Sequence, residues 1–404
     1  MRSEFLQFAP PLIGDEVIDE VVRALRSGWI TTGQRAHDFE NEFRNYVGAP
    51  STLAVNSATS AMHLALAALG IGEGDAVITT TMTFVSTIHV IEHQGARPIL
   101  VDVEPDTLNI DPDQVEAVLR KTNGVKAILP AHLYGHPAEM DRIYDIATRH
   151  RLAVLEDAAH SLPARYRGRV IGAPAGDFHQ PNAVAFSFYA TKNLTTGEGG
   201  MLTGPGELID SARIWSLHGM SRDAFKRYTS EGSWRYDVLV PGFKSNMPDI
   251  QAAIGIQQLR RLDAMQRRRR AIVAQYDEAL GRIEELETPI ARPEVESAWH
   301  IYLLRLRSGL RIGRDEFIEE LRHRNIGSSV HFIPIHRHTY YRERYQLRAE
   351  QFPVAEREFA RMLSLPLSPA HSDQDVADVL EAVTDVVARK RNVPRRRTPG
   401  AGRP

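Results

Sequence analysis

Seven short apolar runs recur through the first two-thirds of the chain. Each is continuously apolar rather than alternating with polar residues, which is typical of strands covered on both faces. Helical patterns lie between them, for example at Ser60–Leu69, Asp113–Leu119 and Glu139–His150. The pattern predicts an α/β layered fold with a mostly parallel, seven-stranded sheet. Its strands are Leu53–Val55, Ala76–Ile78, Pro98–Val101, Ala127–Leu129, Leu152–Leu155, Ala183–Phe186 and Gly200–Leu202.

The pattern changes at Met247. One long amphipathic helix is predicted over Asp249–Leu280, and the run Arg267–Arg270 on it is expected to be a solvated face rather than a nucleic-acid patch. A smaller α+β part follows, with strands predicted near His300–Leu306 and Ser329–Phe332. A final helix is predicted over Ser372–Val387.

The length of 404 residues exceeds one ordinary core. We therefore expect a large α/β domain with an N-terminal arm over residues 1–248 and a long helix with a small α+β domain over 249–391. Residues 392–404 are rich in arginine, proline and glycine and are predicted to be a disordered basic tail.

Composition narrows the class of protein. The formal net charge is −2, which gives no global field for nucleic acid or a membrane surface. The chain has no cysteine, which excludes disulfides, thiolate nucleophiles and cysteine-rich zinc sites. It has neither a signal peptide pattern nor an apolar run near the roughly 18 residues of a membrane span. We expect a cytoplasmic protein without a nucleic-acid or membrane partner.

Two residues at strand ends carry candidate chemistry. Lys192 follows the Ala183–Phe186 run, and a lysine crowded by apolar walls can lose its proton and attack a carbonyl. Asp157 ends an earlier run, and an aspartate can pair with a pyridinium nitrogen. A surface lysine and a helix N-cap are the more common roles of each alone. His160 either hydrogen-bonds a ring hydroxyl or supports Asp157.

Further strand ends extend this set. The stretch Asn56–Ala61 leaves helix N-terminal amides open to a phosphate, or is only a well-capped helix. Phe84 either stacks on a flat cofactor or packs in the core, and Ser187 offers a second phosphate hydroxyl. No piece is decisive alone, but their order on successive strand ends is hard to obtain by chance. A nicotinamide enzyme is disfavoured because no glycine-rich fingerprint opens a βαβ unit.

These stretches resemble the nucleotide-sugar aminotransferases, the DegT/StrS-type group of fold-type-I pyridoxal-phosphate enzymes. The resemblance covers roughly Phe8 to Val387 and is carried by Ser27–Gly33, Asn56–Ala61, Thr83–Thr87, Glu156–His160 and Lys192–Gly200. It implies that pyridoxal 5'-phosphate is bound as an imine by Lys192, with Asp157 on the pyridine nitrogen and Phe84 on the ring. The remaining residues that it implies are Ala58, Thr59 and Ser187 for the phosphate and Gly28, Trp29, Tyr189 and His331 for the substrate.

The resemblance also implies a homodimer in which each active site is completed by the other subunit. The stretch Gly242–Met247 matches the crossing segment, so that Asn246 would reach the partner's phosphate. Many members have asparagine and arginine where this chain has Lys244 and Asn246. That variant is similar to the enzymes that form 4-amino-4-deoxy-arabinose nucleotides. So are His218–Asp223, Val330–Phe332 and Tyr340–Arg342. His331 is then a candidate sugar contact, with a core histidine as the alternative.

The implied function is amino transfer, with glutamate as the donor and a nucleotide-linked keto sugar as the acceptor, the 4-keto sugar being favoured. It would serve amino-sugar, polysaccharide or antibiotic biosynthesis with ping-pong kinetics. The alternatives are a 3-keto sugar aminotransferase, a dehydratase relative, in which the lysine is replaced, and a non-catalytic cofactor-binding regulator. Arg235 and Lys226 are weak candidates for the substrate diphosphate.

Overall fold

The computed structural model describes residues 2–221 and 236–392. The helices are α1 (Asp15–Arg26), α2 (Gln34–Val47), α3 (Ala58–Ala68), α4 (Ser86–His93), α5 (Pro112–Leu119), α6 (Met140–His150), α7 (Gly206–Ser216), α8 (Asp249–Leu280), α9 (Arg314–Arg322), α10 (Thr339–Arg344), α11 (Pro353–Phe359) and α12 (Asp373–Lys390). The strands are β1 (Ser51–Val55), β2 (Ala76–Thr80), β3 (Arg97–Val101), β4 (Val125–Leu129), β5 (Ala153–Asp157), β6 (Arg165–Tyr166), β7 (Arg169–Val170), β8 (Asn182–Ser187), β9 (Gly200–Gly204), β10 (Leu286–Glu287), β11 (Val295–Glu296), β12 (Tyr302–Leu306) and β13 (Met362–Leu365).

Seven strands form the main sheet in the order β1-β9-β8-β5-β4-β2-β3. β9 runs antiparallel to both of its neighbours, and the remaining six strands share one direction. All seven predicted strands are present, so the mostly parallel sheet of the sequence analysis is confirmed. Two three-stranded sheets, β10-β12-β13 and β11-β6-β7, lie outside it.

Successive residues of the central strands enter two separate cores. Val154 and Val184 pack in one apolar cluster, with residues of α2, α6 and α8. Leu155 and Ala183 pack in another, with α3 and α7. Because neighbouring side chains of a strand point to opposite faces, continuous apolar runs are what a sheet covered on both sides requires. Because β1, β2, β5 and β8 run in the same direction, their carboxyl ends lie at one edge of the sheet.

The long helix α8 belongs to two cores. Ile256 and Leu262 pack against the main sheet, whereas Ile272 and Tyr276 pack with β12, β13 and α12. The predicted bounds of the helix match, but a domain boundary at 248/249 stays a prediction, because the first half of α8 packs on the large core. The predicted tail, 392–404, lies outside the described residues apart from Asn392. Among the residues described, no helix is long and apolar enough to cross a bilayer.

Residues 2–13 form an N-terminal arm that lies along the C-terminal part of the chain. Leu6 forms a parallel bridge with Ile326, and Arg2 forms ion pairs with Asp375 and Asp378 near the start of α12. The Ser368 hydroxyl donates to the carbonyl of Pro10 at 2.6 Å. The arm is thus held by the opposite end of the sequence.

Two expectations from the sequence are wrong. Ser329–Phe332 is not a strand: Ser329 alone forms a bridge, with Ser364, and the two residues after Val330 turn to contact the candidate site described below. The run Arg267–Arg270 is not a uniformly solvated face, since the side chain of Arg269 is only 3% exposed. Its guanidinium donates to the carbonyl of Leu367 at 2.9 Å, which joins α8 to the segment after β13.

Candidate active site

A cavity of about 540 Å³ opens at the sheet edge where the strands end. Nine of the predicted site residues line it, contributed by β1–α3, β2–α4, β5, β8 and the segment before α10. They are Ala58, Thr59, Phe84, Asp157, His160, Ser187, Tyr189, Lys192 and His331. The topology therefore brings together residues up to 273 positions apart, Ala58 and His331 being the extremes.

Lys192 lies in the turn after β8, where its backbone amide donates to the carbonyl of Tyr189 at 2.9 Å. Its Nζ is 3.5 Å from Nε2 of His300. Burial lowers the pKa of Lys192 to about 8, and the negative charge of Asp157 only partly offsets this. About a tenth of the Lys192 side chains are therefore neutral at pH 7, and about half at pH 8, and the neutral amine is the nucleophilic form.

Asp157 is the last residue of β5 and its carboxylate is oriented by two donors. Thr87 Oγ1 donates to Oδ2 at 2.7 Å, and the amide of Ala159 donates to Oδ1 at 3.1 Å. Thr83 Oγ1 lies 2.9 Å from Thr87 Oγ1 and extends the network. Within residues 2–221 and 236–392 no basic side chain forms an ion pair with Asp157. A buried carboxylate without a counter-ion fits the pyridinium N–H of pyridoxal phosphate.

A phosphate fits at the start of α3. Ser57 Oγ caps the helix by accepting from the Ser60 amide at 3.1 Å. The amides of Ala58 and Thr59 belong to the first turn, where a helix has no internal acceptor for them. Ala58 and Thr59 line the cavity at the positive end of the helix dipole, and Ser187, at the end of β8, lines the same cavity. The donors present therefore suit the phosphate of the cofactor.

Aromatic rings form the cavity walls. Phe84 is 54% exposed, so the core-packing alternative is wrong for this residue. Its ring centroid lies 5.6 Å from that of Phe332. Phe8 of the N-terminal arm stacks on His331 with centroids 5.2 Å apart and an interplanar angle of 26°. These faces suit a flat ring and the apolar face of a sugar.

His160 does not support Asp157 through any hydrogen bond within the described ranges. Its Nδ1 accepts from the amide of Tyr134 at 3.3 Å, and its ring stacks on Phe332 at 5.6 Å. Burial lowers the pKa of His160 far below the usual range, and the charges of Lys192 and His331 act in the same direction. The side chain is therefore a neutral imidazole in the cavity wall, and the ring-hydroxyl role stays a prediction.

Three predicted site residues lie outside the cavity of their own chain. Gly28 has a φ of 73° in the turn after α1. The neighbouring Trp29 is 43% exposed and donates from Nε1 to the carbonyl of Thr32 at 3.1 Å. Asn246 donates to Thr32 Oγ1 at 2.5 Å, so Trp29 and Asn246 both form hydrogen bonds with Thr32. The predicted Arg222, Asp223, Lys226 and Arg235 lie outside the described residues.

The sequence analysis missed three residues of the cavity region: His300, Thr87 and Phe8. His300 comes just before β12 and is 108 positions from Lys192, so no spacing rule joins them. Thr87 was quoted within a stretch, but its contact with Asp157 depends on the pairing of β2, β4 and β5. Phe8 reaches the cavity through the arm, which a local pattern does not encode.

Comparisons with known proteins identify the family of this chain. The model of the DegT/DnrJ/EryC1/StrS aminotransferase family matches residues 11–384. The chain is 49% identical, over 391 residues, to the spore coat polysaccharide biosynthesis protein SpsC of Bacillus subtilis, covering 96% of this chain and 98% of that one. The PMP form of the putative sugar aminotransferase Spr1654 from Streptococcus pneumoniae matches with a TM-score of 0.88 and 33% identity, covering 95% and 99%. DesV of S. venezuelae, in complex with a ketimine intermediate, matches with a TM-score of 0.81 and 34% identity, covering 92% and 94%.

Proposed function

Because this chain belongs to the DegT/DnrJ/EryC1/StrS aminotransferase family and is a pyridoxal-phosphate-dependent sugar aminotransferase, we propose that it transfers an amino group from glutamate to carbon 4 of a nucleotide-linked keto sugar. The observation that carries the amino-transfer chemistry is the pairing of Lys192 and Asp157 across one cavity, from the ends of the adjacent strands β8 and β5. The amine has a lowered pKa, and the carboxylate forms no ion pair within the described ranges.

When bound, pyridoxal phosphate supplies an aldehyde carbon for the amino group and a pyridinium ring that accepts the electron pair released at the donor's α-carbon. Asp157, held by Thr87 and Ala159, would keep the pyridinium nitrogen protonated. The amides of Ala58 and Thr59 and the hydroxyl of Ser187 would hold the phosphate. Phe84 would pack against the ring.

Lys192 has two tasks in this proposal. As a neutral amine it would hold the cofactor through the aldehyde carbon, with loss of water, and when free it would carry a proton between the donor's α-carbon and that carbon of the cofactor. A pKa of about 8 suits both, because the group then exchanges a proton readily near neutral pH.

The anionic substrate requires cations that the cavity does not supply. Among the residues of the described ranges that line it, Lys192 is the only lysine or arginine. We therefore propose a homodimer in which Lys244 and Asn246 of one subunit approach the cavity of the other. Gly28 and Trp29, which lie outside the cavity of their own chain, would contact substrate across the same interface.

The 4-keto preference rests on the Lys244 and Asn246 variant and on the His218–Asp223 stretch. The relative SpsC is named for spore coat polysaccharide biosynthesis, and that name supports a role in making an amino sugar for a polysaccharide. A 3-keto acceptor is the second candidate, since carbon 3 and carbon 4 of a ring differ by a small shift of the sugar in a cavity of this size.

A panel of 3-keto and 4-keto nucleotide sugars, each supplied with glutamate, tests the proposal through release of 2-oxoglutarate. We expect turnover with 4-keto compounds and little with 3-keto compounds, and none with Lys192→Ala protein. A clear preference for 3-keto sugars would overturn the position of amination. Conversion of the cofactor by glutamate alone, followed spectroscopically, distinguishes an enzyme from a regulator that only binds cofactor.

A further inference from the structure

His300 is the side chain within the described ranges that lies in hydrogen-bond reach of the Lys192 amine. Its Nε2 is 3.5 Å from Lys192 Nζ, and its side chain is only 5% exposed. Its ring lies against that of His160, with centroids 4.4 Å apart. Packing therefore restricts rotation of the imidazole ring.

The hydrogen bond of the other ring nitrogen, Nδ1, determines which nitrogen of His300 carries the proton. Asn193 Nδ2 donates to the carbonyl of Leu162 at 3.0 Å and to that of Ala298 at 2.7 Å. Both amide hydrogens are thereby used, so Asn193 Oδ1 faces His300 Nδ1 at 3.2 Å as an acceptor. Nδ1 of His300 must donate to it, which leaves Nε2 without a proton in the neutral ring.

Burial keeps the ring of His300 neutral, because it is the main cause that lowers the pKa of this side chain far below its usual range. Electrostatic repulsion by Lys192, His160, Arg269 and His331 opposes protonation further. Asp157, the negative group near Lys192, acts on the lysine instead. Nε2 thus presents a lone pair to Lys192 across the working pH range.

We propose that His300 is a positioning residue for Lys192: its Nε2 lone pair accepts one N–H of the free amine and so turns the amine's own lone pair away from His300 and leaves it free to accept a proton. The inference rests on the proposed role of Lys192. With the opposite tautomer, Nε2–H would donate into that lone pair and block it. Asn193 therefore acts on Lys192 indirectly, because it fixes the tautomer of His300.

Cofactor-free protein tests this without turnover. Competitive acetylation with acetic anhydride, from about pH 6 to about pH 10, followed by peptide mapping, gives a titration curve for each lysine. The chain has only six lysines, and Lys390, paired with Glu320, serves as an internal reference. The variants are His300→Leu, which removes the acceptor, and His300→Gln, which supplies an amide oxygen in its place. His136→Leu is the matched control, because His136 is equally buried but interacts with Arg292 and Asp106 instead of Lys192.

We expect Lys192 to titrate near pH 8 in the wild type and in His136→Leu. In His300→Leu the midpoint should fall by roughly one pH unit, because the ammonium form loses its acceptor. His300→Gln should stay near the wild type. The glutamate half-reaction should slow by about 10²-fold in the Leu variant and much less in the Gln variant. An unchanged Lys192 midpoint in folded His300→Leu protein, or equal midpoints in the Gln and Leu variants, would overturn the proposal.

A second measurement needs no variant. Neutron diffraction from deuterated wild-type crystals locates deuterium on each ring nitrogen, and we expect it on Nδ1 of His300 and not on Nε2. Deuterium on Nε2 would overturn the inference directly. Neither experiment uses a keto sugar. Rejection of 4-keto sugars in the substrate panel would therefore refute the proposed function without deciding the role of His300, which the acetylation and neutron experiments test separately.

Discussion

At the scale of single residues, the proposed chemistry depends on the protonation of Lys192. The ammonium form of Lys192 has no lone pair and cannot attack an aldehyde. The pKa of Lys192 in the folded protein is lowered to about 8 from the ordinary 10.5. We therefore expect the rate of covalent cofactor uptake by cofactor-free protein to rise with pH up to about 8 and then level off. Stopped-flow absorbance across a pH series measures this. A rate that continues to climb to pH 10 would contradict the lowered pKa.

The hydroxyl of Thr87 is the shortest contact to the Asp157 carboxylate. Thr87→Val keeps the shape of the side chain but removes the donor, whereas Thr87→Ser keeps the donor. A hydrogen bond to a charged group contributes on the order of 1.5 kcal/mol, so we expect roughly tenfold weaker cofactor binding in the Val variant and near-normal binding in the Ser variant. Fluorescence titration with pyridoxal phosphate measures both. Equal losses in the two variants would show that packing, not the hydrogen bond, is what matters.

At the scale of elements, the close packing of α2 on α8 depends on Gly255. A Cβ at this position would lie 2.7 Å from ring atoms of Phe39. That ring is fully buried and packs on Phe188 at 5.3 Å, so it has no space to retreat. Alanine is the better helix former by about 1 kcal/mol, but overpacking costs about 1–3 kcal/mol.

Gly255→Ala should consequently lower the free energy of unfolding by up to about 2 kcal/mol, measured from urea denaturation. Gly206→Ala is the matched control, since a Cβ at this first residue of α7 would meet nothing within 4 Å. It should be neutral or slightly stabilising. Stabilisation by both substitutions would mean that α2 and α8 adjust more easily than their packing indicates.

The elements also show where sequence patterns suffice. The central strands of the main sheet were predicted because each is buried on both faces, which gives an apolar run that needs no knowledge of its neighbours. The segment at Ser329–Phe332 is predicted as a strand but is not one. Its residues His331 and Phe332 instead line the cavity, and the surrounding tertiary structure decides this.

The same distinction applies to the site. Lys192 and Asp157 were found because strand ends in a parallel sheet converge, which the order of elements implies. His300 was missed because its contact with Lys192 depends on how the C-terminal segment folds back across the sheet edge. The burial of Arg269 was not predicted, because the sequence shows it only as one of four consecutive arginines. The other three are at least partly exposed, and Arg269 is buried because of its position on α8.

At the scale of the whole molecule, the proposed homodimer predicts complementation. Lys192→Ala and Asn246→Ala proteins, mixed after reversible dissociation, should form dimers with one site that has both Lys192 and Asn246. If each variant alone is nearly inactive, statistical exchange restores about a quarter of wild-type activity. Subunit exchange is verified by mass spectrometry of differently tagged chains. No gain in activity after verified exchange would show that each site is complete within one chain.

The N-terminal arm has a consequence for how the protein is made. Phe8 leaves the ribosome before the groups that hold the arm, from Ile326 to Asp378, have been synthesised. The Phe8–His331 wall of the cavity is therefore completed later than the main sheet, which has all its strands once β9 has been synthesised. A nascent chain stalled before β12 would contain the strands of the main sheet without this wall.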